Sequence, residues 1–145
     1  MGTAQLIKTR RQTLGLDPKA LAVALKLNEP SYWDLESYDD EIVEVVDIRQ
    51  ALALAKLLDI RLLNLLGEEI DCRRIVPMSF EGLRDLIIQK IASCEIDGFG
   101  LSWDISDFIA NPELGFENPI AFLKILAPEV GFDWRVVIAH YDKHI

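Results

Sequence analysis

Two short apolar stretches, each opened by a capping side chain and a proline, constrain the fold of this 145-residue chain most strongly. Asp17-Pro18 places an oxygen acceptor before a residue whose backbone suits a first helical turn. Asn28 and Pro30 repeat that arrangement one short turn later. The residues expected to face inward, by their helical spacing, are Leu21, Ala22, Leu25, Tyr32 and Leu35. The pattern predicts two short helices joined by a tight turn.

A helix, a turn of about four residues and a second helix form the shape that enters a DNA major groove. The run Leu6 to Gly67 resembles the Cro/CI-like (XRE) helix-turn-helix family position by position. The matching residues are Arg11, Leu14-Gly15-Leu16, Leu21-Ala22, Glu36, and the leucine-rich tail from Leu52 to Gly67. The resemblance implies a lambda-repressor-like domain of five helices. It also implies that Arg11 and Glu36 form a largely buried ion pair between helices 1 and 3.

The surface of the second and third helices departs from the DNA-reading members of that family. The face that would meet DNA or a protein partner carries Pro18, Lys19, Glu29, Pro30, Ser31, Trp33 and Asp34. Proline has no side-chain donor, and carboxylates repel phosphate. Between Lys26 and Arg49 there are eight Asp and Glu residues and no Lys or Arg, and the loop expected over 37–41 is itself acidic. The fold is typical of DNA binding, whereas the surface is not.

Trp33 has two interpretations. If the third helix follows the family, its indole projects from the face that reads DNA and resembles the aromatic anchor of a protein interface. Alternatively, the C-terminal half covers Trp33 and makes it a core residue between the two halves. Either arrangement would prevent ordinary insertion of this helix into a major groove.

The second half of the chain also carries helical signals, without a clean alternating strand pattern. Four helices are expected, with boundary signals at Ser79, Asn111-Pro112, Asn118-Pro119 and Asp133. We therefore predict an all-α protein with a helix-turn-helix domain over residues 1–67 and a linker over 68–78. Residues 79–145 are predicted to form a helical bundle of about four helices.

Residues 111–123, NPELGFENPIAFL, are similar to a stretch of the toxin-binding domain in Xre/MbcA/ParS-type antitoxins. Those proteins also place a helix-turn-helix domain before a helical toxin-binding domain. About a dozen residues carry the similarity, and Phe116 stands where that family has a second glycine. The similarity implies a toxin as a partner.

The net charge and the two cysteines limit the kinds of function that we expect for this protein. The net charge is −9; residues 1–67 carry eight Lys and Arg against ten Asp and Glu, and residues 68–145 carry seven against fourteen. This balance argues against general binding to nucleic acid or anionic membranes and favours a basic protein partner. Two cysteines without a disulfide framework, no signal peptide and no membrane-spanning run predict a cytoplasmic protein.

Catalysis and cofactor binding are not predicted. The sequence has no phosphate-binding glycine loop, nucleophile motif or Cys/His cluster, so we expect no enzyme activity and no cofactor. His140 and His144 are spaced to share a metal ion on one helix, but no third ligand is indicated, and surface positions are expected for both.

Two functional hypotheses follow. The first is a helix-turn-helix regulator, a transcriptional repressor or antitoxin that binds its operator as a homodimer. Its phosphate contacts would come from Lys8, Arg10, Lys19 and Lys26. The second is an antitoxin, immunity or adaptor protein that retains the fold without binding DNA and uses the changed surface for a protein partner.

Overall fold

The structure, a computed structural model, describes residues 2–68, 76–96 and 105–142. Within these ranges the regular elements are helical, which confirms the all-α prediction. The helices are α1 (Thr3–Leu14), α2 (Pro18–Ala24), α3 (Glu29–Ser37), α4 (Glu41–Glu44), α5 (Ile48–Leu57), α6 (Leu62–Leu65), α7 (Phe80–Ala92), α8 (Ile105–Ala110), α9 (Ile120–Val130) and α10 (Trp134–Tyr141), with a 3₁₀ segment over Pro112–Glu117. Among the described residues, no helix combines the length and the apolar character needed to cross a bilayer.

Local capping signals start the helices as predicted. The Asp17 carboxylate accepts the N–H of Lys19 at 3.0 Å, and the Asn28 side chain accepts the N–H of Ser31 at 2.8 Å. Side-chain caps of the same kind start α7 and α10 at Ser79 and Asp133. Each cap satisfies a backbone donor that the first helical turn leaves without a partner.

Helices α1 and α2 both pack on α3 in the first half of the chain. Their inward side chains are buried: Ile7, Leu21, Ala22, Leu25, Tyr32 and Leu35. After α6 the chain turns at Gly67, whose φ of +72° lies in the left-handed region that glycine adopts without strain.

The sequence pattern does not predict α4, because acidic residues dominate this stretch and indicate a solvated loop. Instead Glu41 begins a helical turn, and Ile42 within it is completely buried. This turn packs against α9. The buried Ile42 side chain therefore holds this turn against the core. The acidic residues around Ile42 make the same segment look like a solvated loop in the sequence.

The two halves share one apolar core within the described residues. Backbone pairing also joins them, since the N–H of Ile48 donates to the carbonyl of Asn118 at 2.9 Å. Residues 69–75, most of the expected linker, lie outside the described ranges. The boundary between domains 1–67 and 79–145 therefore stays a prediction.

Candidate functional site

The candidate face is formed by the outer sides of α2 and α3, whose inner sides are fixed by the core. Four of the seven predicted residues are exposed: Lys19, Glu29, Pro30 and Trp33. The other three are half-buried: Pro18, Ser31 and Asp34. Val23, on α2, was missed although its side chain is 78% exposed. Helical spacing indicates that Val23 is exposed, because it falls between the inward positions at 21–22 and 25.

Arg11 and Glu36 fix the position of α3 on α1. Arg11 Nε donates to Glu36 Oε2 at 2.7 Å, and Nη2 donates to Oε1 at 3.1 Å, so the pair is bidentate. Only 11% of the Arg11 side chain and 2% of the Glu36 side chain are exposed. The ion pair implied by the family resemblance is therefore present, and paired geometry of this kind holds both side chains rigidly.

Trp33 lies beside that ion pair on the outer surface. The Arg11 guanidinium is 5.8 Å from the centre of its ring system, and the Tyr32 ring meets it edge-on at 6.0 Å. The residue is nevertheless 40% exposed, so the interpretation of Trp33 as a core residue between the halves is wrong. The indole of Trp33 is thus partly exposed to solvent, and its contacts with Arg11 and Tyr32 restrict its movement.

Some acidic residues between Glu29 and Asp47 have structural roles. Asp39 caps α1 by accepting the N–H of Ala4 at 3.0 Å. Asp47 caps α5 through a reciprocal pair of hydrogen bonds with Gln50. Together with Glu36, these residues serve the fold.

Three other carboxylates crowd together next to the candidate face. Burial, followed by the charges of Asp34 and Asp40, raises the pKa of Glu41 above its ordinary value. The structure shows no ion pair for these three side chains within its described residues.

Basic residues expected to contact phosphate differ in their availability. The Arg10 side chain donates to the carbonyl of Leu58 at 2.8 and 3.1 Å and to that of Asp59 at 2.9 Å. The expectation of Arg10 as a phosphate contact is therefore disfavoured, because its guanidinium already binds the end of α5. Lys19 and Lys26 are exposed.

In the described parts of the chain, no group of three or more His, Cys, Asp or Glu side chains is arranged to hold a metal ion. His144 and Cys72 lie outside those parts, whereas His140 is half-buried and Cys94 is exposed.

No family model, curated protein or solved structure matches this chain. The side chains and geometry described above are therefore the basis for inferring function. The outer sides of α2 and α3 carry the exposed Val23 and Trp33, and the acidic residue Glu41 follows at the start of α4.

Proposed function

We propose that this protein is a non-enzymatic interaction module of the antitoxin, immunity or adaptor type. In this proposal residues 6–67 form a helix-turn-helix fold, and the outer sides of α2 and α3 bind a protein partner with a basic surface. The observation that carries the proposal is Trp33, a braced aromatic side chain that is 40% exposed where a DNA-reading helix would present polar groups. Tryptophan is among the residues most enriched at the energetic centres of protein interfaces.

Two further exposed apolar residues lie on the same two helices. Val23 on α2 is largely exposed, and Pro30 at the start of α3 is exposed as well. None of these side chains offers the paired donors and acceptors that read base edges. Because Arg11 and Tyr32 already restrict Trp33, binding through its ring would cost little side-chain entropy.

The acidic residues indicate the character of the partner. The pKa of Glu41 is raised by burial and then by the charges of Asp34 and Asp40, so part of this shift comes from repulsion between neighbouring carboxylates. Lysine or arginine side chains of a partner would relieve that repulsion and steer association. Phosphate groups would increase it, because nucleic-acid binding depends on neutralising phosphate charge.

A DNA-binding regulator is the second candidate. It is supported by the exposed Lys19 and Lys26, and by the Arg11–Glu36 pair, a feature of the family that the sequence resembles. Titration against random duplex DNA at low salt separates the candidates, since non-specific binders register by about 100 μM. Absence of binding in that range rejects the regulator, and binding with a steep salt dependence rejects the interaction module.

The direct test uses the full chain as bait in an extract of its native host. We would identify captured proteins and then measure the purified partner against wild type, Trp33→Ser and the control Ile125→Ser. Ile125 is also an exposed apolar residue, but it lies on α9. Loss of a central interface tryptophan is expected to weaken binding by at least about 30-fold, and the control by less than about twofold.

The captured protein counts as support only if it has a basic surface and Trp33→Ser releases it. Equal effects of the two substitutions, or none from Trp33→Ser, would reject the proposed face. Circular dichroism of each variant verifies that the helices remain formed, so a loss of binding is not mistaken for unfolding.

A further inference from the structure

A concave site lies away from α2 and α3, between the start of α7, the 3₁₀ segment and α10. Its volume is about 490 Å³, which falls within the range of small-ligand pockets. The residues that line it include Phe80, which is itself almost fully buried, Phe116, Tyr141, Glu81, Glu113 and His140. We call it the α7–α10 cleft.

The aromatic walls of the cleft meet at a corner. Phe116 and Tyr141 lie 4.7 Å apart between ring centres with their planes at 68°, so two ring faces are nearly perpendicular. Tyr141 also stacks on Phe80 at 5.3 Å, and its hydroxyl accepts the Phe80 N–H at 2.9 Å. These contacts hold the Tyr141 ring in place. The two rings meet edge-to-face, and the His140 ring also meets Tyr141 edge-on at 4.7 Å. Aromatic surface that these contacts leave uncovered carries negative electrostatic potential and attracts a cation.

A glycine allows the 3₁₀ segment to approach α7 closely enough to build this corner. A Cβ atom on Gly115 would lie only 2.5 Å from atoms of the Phe80 ring. Any larger residue at position 115 would force the segment or the ring to move. The position of Phe116 in the cleft therefore depends on its small neighbour.

The charge of the cleft complements a cation. Glu81 and Glu113 both line it, and its described walls include no lysine or arginine. The two carboxylates lie near enough to Tyr141 that, after burial, their charges help to raise the pKa of its hydroxyl. Arg49, which is outside the lining, already places its guanidinium 5.5 Å from the centre of the Phe116 ring. A cation is thus an acceptable neighbour for Phe116 in this fold.

We propose that the α7–α10 cleft binds an organic cation, a guanidinium or alkylammonium group held by aromatic faces and paired with Glu81 and Glu113. Arginine and lysine side chains of a protein and free small amines share this chemistry. The proposal does not depend on the α2–α3 face, because the two sites are built from different helices.

The test is an NMR titration of the full chain with choline and with 3,3-dimethyl-1-butanol, its neutral isostere, at constant ionic strength. Choline is expected to produce saturable shifts at the Phe80 amide and at the ring protons of Phe116 and Tyr141. The alcohol is expected to bind at least about tenfold more weakly, since it lacks the charge. Equal binding of the two molecules, or the absence of saturable shifts with choline, overturns the proposal.

Matched variants localise the effect. Glu113→Gln removes one carboxylate from the wall and is expected to weaken choline binding by about three- to tenfold. Glu117→Gln removes an exposed carboxylate from the same 3₁₀ segment, outside the cleft lining, and is expected to leave binding unchanged. Equal effects of the two variants would mean diffuse electrostatic attraction and would overturn the site.

A further comparison identifies the source of the cation. Methylguanidinium is titrated beside an acetylated, amidated Gly-Arg-Gly peptide, with the same resonances observed. Tighter binding of the peptide supports an arginine side chain of a partner protein, and equal binding supports a free small cation. Failure of both to shift these resonances overturns the proposal.

Discussion

The carboxylate of Asp142 caps the helix that begins at Leu62, eighty residues earlier in the chain. Its two oxygens accept the N–H groups of Leu62 at 2.9 Å and Leu63 at 3.1 Å. Asp142 is only 9% exposed. The residue at the local cap position is Arg61, whose side chain has no acceptor. The last helix therefore supplies a cap that the sequence next to α6 lacks.

Asp142→Ala should lower the free energy of unfolding by about 2–3 kcal/mol, because it leaves two buried N–H groups without a charged acceptor. Asp142→Asn keeps one oxygen acceptor and should cost about half as much. Urea unfolding followed by circular dichroism measures both changes. Glu44→Ala, which removes an exposed carboxylate, is the control. A loss below about 0.5 kcal/mol for Asp142→Ala would mean that water replaces the carboxylate.

Arg11→Met should cost about 3–5 kcal/mol of folding stability, because Glu36 would remain as a buried charge without its partner. The double variant Arg11→Met/Glu36→Leu should cost less than the sum of the single substitutions, since neither charge is left alone. A double-mutant cycle by denaturant unfolding tests this coupling. Additive single effects would show that the pair does not act as a unit.

Tyr32 and Tyr141 allow two tyrosine hydroxyls to be compared, one completely buried and one half-buried. Burial, followed by the neighbouring Glu36 carboxylate, raises the pKa of the Tyr32 hydroxyl, but no hydrogen bond of good geometry reaches it among the described residues. Tyr32→Phe should therefore change the stability by less than about 0.5 kcal/mol. Tyr141→Phe removes the acceptor for the Phe80 N–H and should cost about 1 kcal/mol. Thermal unfolding of the two variants measures the difference, and a reversed order would contradict the assignment.

Whether a helix cap can be predicted from the sequence depends on how many residues separate the capping side chain from the backbone group that it binds. Asp17, Asn28, Ser79 and Asp133 cap backbone groups two or three residues away, so a short pattern is enough to predict them. Asp39 caps α1 thirty-five residues earlier. Its acidic neighbours on the C-terminal side make it resemble a solvated loop residue.

Part of the candidate face follows the same rule. Helical spacing separates Trp33 from the buried Tyr32 and Leu35, but it does not indicate whether the C-terminal half covers the indole. The α7–α10 cleft was not predictable, because its rings come from α7, the 3₁₀ segment and α10, and meet only through tertiary packing. No spacing within one segment relates Phe80 to Tyr141.

Glu41→Gln should stabilise the isolated protein and weaken its binding to the partner at the same time. The pKa of Glu41 in the folded state is raised above its ordinary value, so the folded protein loses stability as the pH rises from the unfolded-state pKa to the folded-state pKa, and the full penalty is present at neutral pH. Removing the charge should raise the stability at neutral pH by up to about 0.5 kcal/mol and flatten its pH dependence in the same interval. Glu44→Gln, on the same short helix but exposed, should change the stability less.

Under the proposed function, the Glu41→Gln variant loses an attraction to basic partner residues, so the affinity measured by calorimetry should fall while the unfolding temperature rises. A fall in both quantities would instead identify Glu41 as part of the folding interactions and remove it from the proposed interface.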